Sequence, residues 1–180
     1  MNIGILPAVP ALERPDLLAA PVAAALTHLA SKLEVNSIGV AEIDPALADT
    51  AAFCERYQVA PSESANCVIV AGRRDGETRY AACMVLATTR ADVNGVVRRE
   101  LDVRKASFAP MEQAVELTGM EYGGITPIGL PADWPLLVDE AVSGTVRVVI
   151  GSGIRRSKLT LPGPLLASLP GAVVIPGLGR

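Results

Sequence analysis

The sequence predicts an α/β fold of the α+β kind: a single domain with a mixed, largely antiparallel β-sheet flanked by helices. Half of the 180 residues are hydrophobic and 19% are charged, the composition of a globular chain long enough to close one core. Apolar runs of strand length, bounded by Gly, Pro and Asp, are interspersed with stretches of helical period. The two kinds of element do not follow a strict βαβ order, which argues against a doubly wound sheet. Aromatic residues make up only 3%, so the core must be built from Val, Leu, Ile and Ala.

Residues 12–33 read as a helix because Leu18, Val22, Ala25, Leu26, Leu29 and Leu33 fall on one stripe. Pro15 suits its first turn, and Pro21 is placed to kink or split it. Residues 36–44 read as a short strand ending at Pro45, and Asp49 or Thr50 caps a helix running to Tyr57. After a loop at 61–64 comes the clearest β-signal, Cys67-Val-Ile-Val-Ala71, then an Asp75-Gly76 turn and a return strand over 78–88. That pattern predicts an antiparallel hairpin. Asp92 caps a helix over 93–101, Pro110 opens another over 111–118, and Gly119 stops it. A glycine-rich loop fills 119–131. Strands are expected at 136–139, 145–150, 158–161 and 172–175, with a tight Gly151-Ser152-Gly153 loop and a short helix ending near Leu169. Residues 1–34 form an N-terminal helical segment and 35–180 the main body of one compact domain.

Several function classes are disfavoured. No apolar stretch is long enough to cross a membrane. Residues 1–10 are apolar but lack the basic start of a signal peptide, so a cytoplasmic protein is expected. Cys54, Cys67 and Cys83 are widely spaced and odd in number, which suits neither a disulfide framework nor a zinc site. His28 is the single histidine, which weakens a Ser-His-Asp triad or a histidine-rich metal centre. Neither a phosphate-binding P-loop nor a Rossmann fingerprint is present, and no metal or cofactor is expected. The net charge of −3 speaks against indiscriminate nucleic-acid binding, and DNA is not an expected partner. Two basic clusters, Arg98/Arg99/Arg104/Lys105 and Arg155/Arg156/Lys158, read as solvated faces unless the fold gathers them beside a pocket.

What remains for chemistry is main chain. Gly123-Gly124-Ile-Thr126-Pro127-Ile-Gly129 packs three glycines and a proline into seven residues. Glycine lets a ligand approach the backbone closely, and successive N–H groups in such a loop can hold an oxyanion. Gly151-Ser152-Gly153, followed by Arg155, Arg156 and Lys158, could wall the same pocket. Each loop taken alone reads first as a sharp connection without a ligand.

The two loops, in order and at their spacing, resemble the YbaK/EbsC family, which includes prolyl-tRNA synthetase editing domains and free-standing aminoacyl-tRNA deacylases. The similarity runs from about residue 33 to 175. Leu117-Thr-Gly119 and the 123–129 loop are followed by Leu136-Leu-Val-Asp139, Ile150-Gly-Ser-Gly153 and Lys158-Leu-Thr-Leu161. The resemblance implies a pocket for the aminoacyl end of a mischarged tRNA, whose acceptor end is the partner, and ester hydrolysis without a protein nucleophile. Asn66, Gly123 and Lys158 are its expected catalytic positions. Gly124, Thr126, Pro127, Gly151, Ser152, Gly153 and Arg156 are its expected substrate-binding ones. A homodimer is left open. Asn66 stands where the family usually carries a lysine, Lys158 where many members are acidic, and Ala41 near a frequent tyrosine. The positive charge is therefore expected either to have moved to Lys158 or Arg156, or to be lost with turnover. In the latter case the chain would bind an aminoacyl-nucleoside, a nucleotide or a tRNA end without cleaving it. A structural domain whose glycine loops merely turn is the third reading.

Overall fold

The computed structural model describes all residues from Met1 to Arg180. Nine strands and six α-helices form a mixed α/β domain, as expected. The strands divide between two sheets, however, where the sequence suggested one. The first has the order β1 (Val9–Pro10), β2 (Gly39–Glu42), β8 (Ser157–Leu161), β7 (Val148–Gly151) and is antiparallel throughout. The second has the order β5 (Ala106–Phe108), β3 (Ala65–Arg74), β4 (Glu77–Leu86), β6 (Leu136–Asp139), β9 (Ala172–Ile175). Only β4–β6 and β6–β9 pair in parallel. A single parallel bridge, Ser64 to Val149, stitches the two sheets together.

The period-2 alternation of the strands decides the layering. On β4, Ala82, Met84 and Leu86 join the main aliphatic core, while Ala81, Cys83 and Val85 join a smaller one on the opposite face. On β7, Val148 and Ile150 point into the main core, and Val149 into a third cluster with Phe53, Cys54 and Ala41. The five-stranded sheet is thus buried on both faces and the four-stranded sheet rests against its main-core side.

The central hairpin is longer than the apolar run suggested, with Ala65 paired to Leu86 and Arg74 to Glu77. Its turn needs two left-handed residues, and Asp75 and Gly76 supply φ of 52° and 87°. Helix α2 (Thr50–Tyr57) follows Asp49, and α4 (Met111–Thr118) lies between Pro110 and Gly119, whose φ is 65°. Asp92 accepts hydrogen bonds from Gly95 and Val96 N–H; the turn it caps is a π-turn, Val93–Val97, prolonged by α3 (Arg98–Glu100). Helix α5 (Glu140–Ser143) separates β6 from β7, and α6 (Gly163–Ala167) precedes β9.

The first 34 residues are less helical than expected. Pro15 and Pro21 each start a short element: a 3-10 turn (Pro15–Leu17) and helix α1 (Ala20–Leu29). A proline lacks the N–H that a continuous helix would require there. The segment also supplies β1 and buries Ile3, Leu6, Leu17 and Val22. No helix is long and apolar enough to cross a membrane.

Candidate active site

A cavity of about 240 Å³ opens where β3 begins and β7 ends, at the junction of the two sheets. Its walls come from the start of α2 (Asp49, Thr50), from Ser64 to Val68, from Tyr122, Gly123 and Ile125 of the glycine loop, and from Gly151 and Lys158. The two glycine loops therefore meet beside the hairpin. They do so through backbone: Gly153 N–H donates to the Gly124 carbonyl at 2.7 Å, and Glu121 N–H donates to the Gly153 carbonyl at 2.8 Å. A Cβ on Gly124 would lie 2.7 Å from the carbonyl carbon of Ile154, so the close approach depends on glycine there. Gly123 adopts φ 83°, and its N–H and that of Ile125 donate to no group of the protein. Both belong to the cavity wall.

Asn66 sits on β3 opposite Val85. Its Oδ1 accepts from the Thr50 hydroxyl at 2.9 Å, which leaves its amide N–H groups without a protein acceptor. Lys158 reaches the cavity from the other sheet. Its register partner on β2 is Ala41, small enough to leave the side chain room. The Lys158 ammonium donates to the Ala48 carbonyl at 3.0 Å and lies 5.3 Å from the centre of the Phe53 ring. Burial, and then the nearby Arg155 charge, pull its pKa from 10.5 down to about 8, against the smaller opposing pull of Asp49.

The remaining expected positions lie outside the cavity wall. Ser152 is fully buried, and its hydroxyl is bound to Ser157 and to the Ile154 and Ser157 carbonyls, so it pins its own turn. Gly153, at φ 88°, packs on Ala19 and Val22. Pro127 borders a separate cavity beside His28, which is an exposed residue of α1. Thr126 is fully buried, and its hydroxyl has no hydrogen-bond partner. Arg156 turns away to the Asp16 carbonyl and Glu42. The cation at the mouth is its neighbour Arg155, which donates to the Tyr122 carbonyl at 3.3 Å and the Pro45 carbonyl at 3.2 Å and pairs with Asp49 at 3.6 Å. Sequence reasoning also missed Asp49 as a wall residue. It reads as a helix cap, yet its carboxylate makes no capping hydrogen bond and faces the cavity.

The arrangement offers two unpaired backbone donors, a side-chain amide, a buried cation and a rim carboxylate around one small space. Cys67 and Cys83 do not suit nucleophilic work: burial pushes both thiols well up, Cys83 to about 12. Nowhere do three His, Cys, Asp or Glu side chains converge as a metal ion would need.

Residues 44–169 match the model of the aminoacyl-tRNA editing domain family, a span that contains every residue of the cavity wall. Over 72 residues the chain is 38% identical to proline–tRNA ligase of Lactobacillus gasseri, a match covering 38% of this chain and 12% of that much longer protein. Among solved structures, the fold is similar to a candidate trans-editing enzyme for prolyl-tRNA synthetase, with TM-score 0.73 and 21% identity over 91% of this chain and 99% of that one. It is as similar to a protein from a study of scaffolds for linear epitopes, with TM-score 0.74 and 21% identity over 90% and 97% of the two chains. At that identity the likeness is one of fold.

Proposed function

The chain belongs to the aminoacyl-tRNA editing domain family, and from that premise we propose that it is a trans-acting deacylase that hydrolyses the ester of a mischarged tRNA carrying a small amino acid. The observation that carries this reading is the convergence of Asn66, Gly123 and Lys158 on one small cavity. The tRNA's aminoacyl end enters past Tyr122 and Arg155. Water attacks the ester carbonyl carbon, the bond to the ribose oxygen breaks, and the amino acid leaves as its carboxylate while the ribose hydroxyl regains a proton.

Each wall group has a use in that step. The N–H groups of Gly123 and Ile125 and the amide of Asn66 can meet the oxygen on which negative charge develops. Lys158, held by the Ala48 carbonyl, supplies a fixed positive charge near the same oxygen or the terminal nucleotide. Asp49 can accept the substrate's α-ammonium group. An aminoacyl ester is already activated, so positioning and oxyanion donors can account for much of the rate. A space of about 240 Å³ is smaller than the roughly 300–1,000 Å³ pockets that enclose drug-sized ligands, which suits a small acyl group and a sieve by size.

A second reading, binding of the aminoacyl end without turnover, is favoured by one observation: the residue that β3 brings to the cavity is the neutral Asn66, where the family resemblance leads one to expect a lysine. The open space between Gly123 and Asn66 disfavours a merely structural role for the loops. A panel of mischarged tRNAs, incubated with the purified protein and with Asn66→Lys, separates the two. Ester loss above background with the natural chain supports the deacylase. Activity that appears only in Asn66→Lys, or protection of the ester by the natural chain, supports binding alone.

A further inference from the structure

At the other end of β3 the five-stranded sheet carries a wider groove, of about 710 Å³, lined by Arg73, Thr78, Arg104, Lys105, Ser107 and Gln113 among others. Arg73, Arg104 and Lys105 are exposed, and none of them makes an ion pair. The nearby acid Asp102 is occupied by Arg74 and Arg79, and Asp75 by Arg74. Gly72 brings the three cations together. A Cβ at this position would lie 2.5 Å from Val103 Cγ2 and 2.9 Å from the Lys105 carbonyl oxygen, so the 103–105 segment can lie against β3 only because residue 72 has no side chain. In a chain of net charge −3, this is a local cationic footprint with no internal use.

We propose that this groove docks the phosphate backbone of the acceptor stem of the tRNA whose 3′ end enters the cavity. The proposal rests on the editing reading above and extends it to a second contact. From Asn66 to Arg73 is seven residues of extended strand, roughly 23 Å at about 3.3 Å per residue. An A-form RNA strand rises less per nucleotide than the roughly 3.4 Å of B-DNA, so the groove meets backbone about seven or more nucleotides from the ester, within the duplexed stem. Asn66 and Arg73 alternate to opposite faces of β3, so the link between the two places runs along the edge of the sheet: Gln113 of α4 lines the groove, and α4 leads straight into the glycine loop that walls the cavity. Three phosphate contacts of this kind hold register without reading sequence.

The test measures binding of uncharged tRNA across salt for the natural chain, for Arg73→Gln/Arg104→Gln/Lys105→Gln, and for Lys32→Gln/Arg90→Gln as a control at exposed cations elsewhere. Counterion release contributes roughly 0.7–0.9 to the log–log slope per phosphate neutralised. The triple variant is therefore expected to lose a slope of about 2–3. Between about 50 and 200 mM salt, the natural chain's affinity should fall about 20- to 40-fold more than the variant's. The control should keep the natural slope. A parallel assay follows hydrolysis of an aminoacylated CCA trinucleotide, which reaches the cavity and not the groove. The triple variant should cleave it at the natural rate, and a loss there equal to its loss on tRNA would overturn the docking role. An unchanged salt slope, or an equal fall in the control, overturns the proposal whatever the hydrolysis shows. Failure of the natural chain to cleave either ester counts against the editing reading alone, because the slope comparison does not depend on turnover.

Discussion

Replacing Lys158 with Met should leave a pH-dependent mark on stability whose sign and size follow from the burial of the ammonium. In the folded chain its pKa is lowered from 10.5 to about 8. Above pH 10.5 the amine is neutral whether folded or unfolded, and it costs nothing. As the pH falls from 10.5 to 8, the unfolded chain takes up a proton that the folded chain does not, so stability declines. Below 8 both forms are charged and the penalty is complete. At about 1.36 kcal/mol per pH unit, the full penalty is about 3 kcal/mol. The stability of the natural chain minus that of Lys158→Met should therefore rise by about 3 kcal/mol between pH 7.5 and 10.5, with other titrations cancelling between the two proteins. Urea unfolding at half-unit steps measures it. A difference that stays flat across that window would mean that Lys158 is solvated when folded, and the account of a fixed, desolvated cation in the cavity would fall. The same pair of proteins tests function. If the ammonium form serves the reaction, deacylation by the natural chain declines above about pH 8, and the variant lacks that limb.

Arg155→Met and Asp49→Asn should move the Lys158 titration in opposite directions, up for the first and down for the second, because Arg155 opposes the lysine's charge and Asp49 supports it; NMR of the lysine side chain reads both midpoints. Gly124→Ala should destabilise the fold by about 2–4 kcal/mol, combining overpacking with loss of a backbone hydrogen bond, since its Cβ would meet the Ile154 main chain. Deacylation should be lost with it, and chemical unfolding beside the tRNA assay checks both. Thr126→Val should raise stability by about 1 kcal/mol, because it removes a buried hydroxyl that has no partner; a drop in the unfolding midpoint would show that the hydroxyl is satisfied by water.

Elements that carry their own punctuation were legible in the sequence. Helix α4 was bounded by Pro110 and Gly119, and the hairpin was set by Asp75-Gly76 with alternating apolar partners. What was not legible depends on the partner rather than on the segment. Alternation says that Val148 and Val149 face opposite ways, but not that the second layer is another sheet. Strands β1 and β5 are two and three residues long, too short for any period, and exist because a neighbouring edge pairs with them. The stripe from Leu18 to Leu33 overstates the helix because its middle, Val22 to Leu29, lies in helix α1, while Leu18, just outside it, is buried on the same core without being helical. At the site, glycines could be singled out because positive φ and close approach demand them. The identity of the mouth cation could not, because in the tight turn after Gly153 adjacent residues point apart: Arg155 to the cavity rim and Arg156 to Glu42.

The charges of the cavity all come from one side. Asp49 stands at the head of α2, Arg155 on the β7–β8 turn and Lys158 on β8, while β3 and the glycine loop contribute only neutral groups, the Asn66 amide and backbone N–H donors. A substrate entering that space meets a field with a direction. Under the deacylase reading, its α-ammonium group is drawn to the rim, where Asp49 is exposed and shares Arg155 with two backbone carbonyls. Its ester oxygen is drawn inward, where the donors cluster. A lysine at position 66 would place a cation on the neutral wall opposite Lys158, across a cavity small enough that the two would repel and one would lose its proton. Under the deacylase reading, the lysine that the family resemblance leads one to expect on β3 and the lysine found on β8 are therefore alternatives. Adding Asn66→Lys to the natural chain should depress Lys158's affinity for protons further, whereas Asn66→Lys combined with Lys158→Asp should restore a single cation and be the better-tolerated pair. If the double variant is less stable and less active than both single variants, the charge has not simply changed walls.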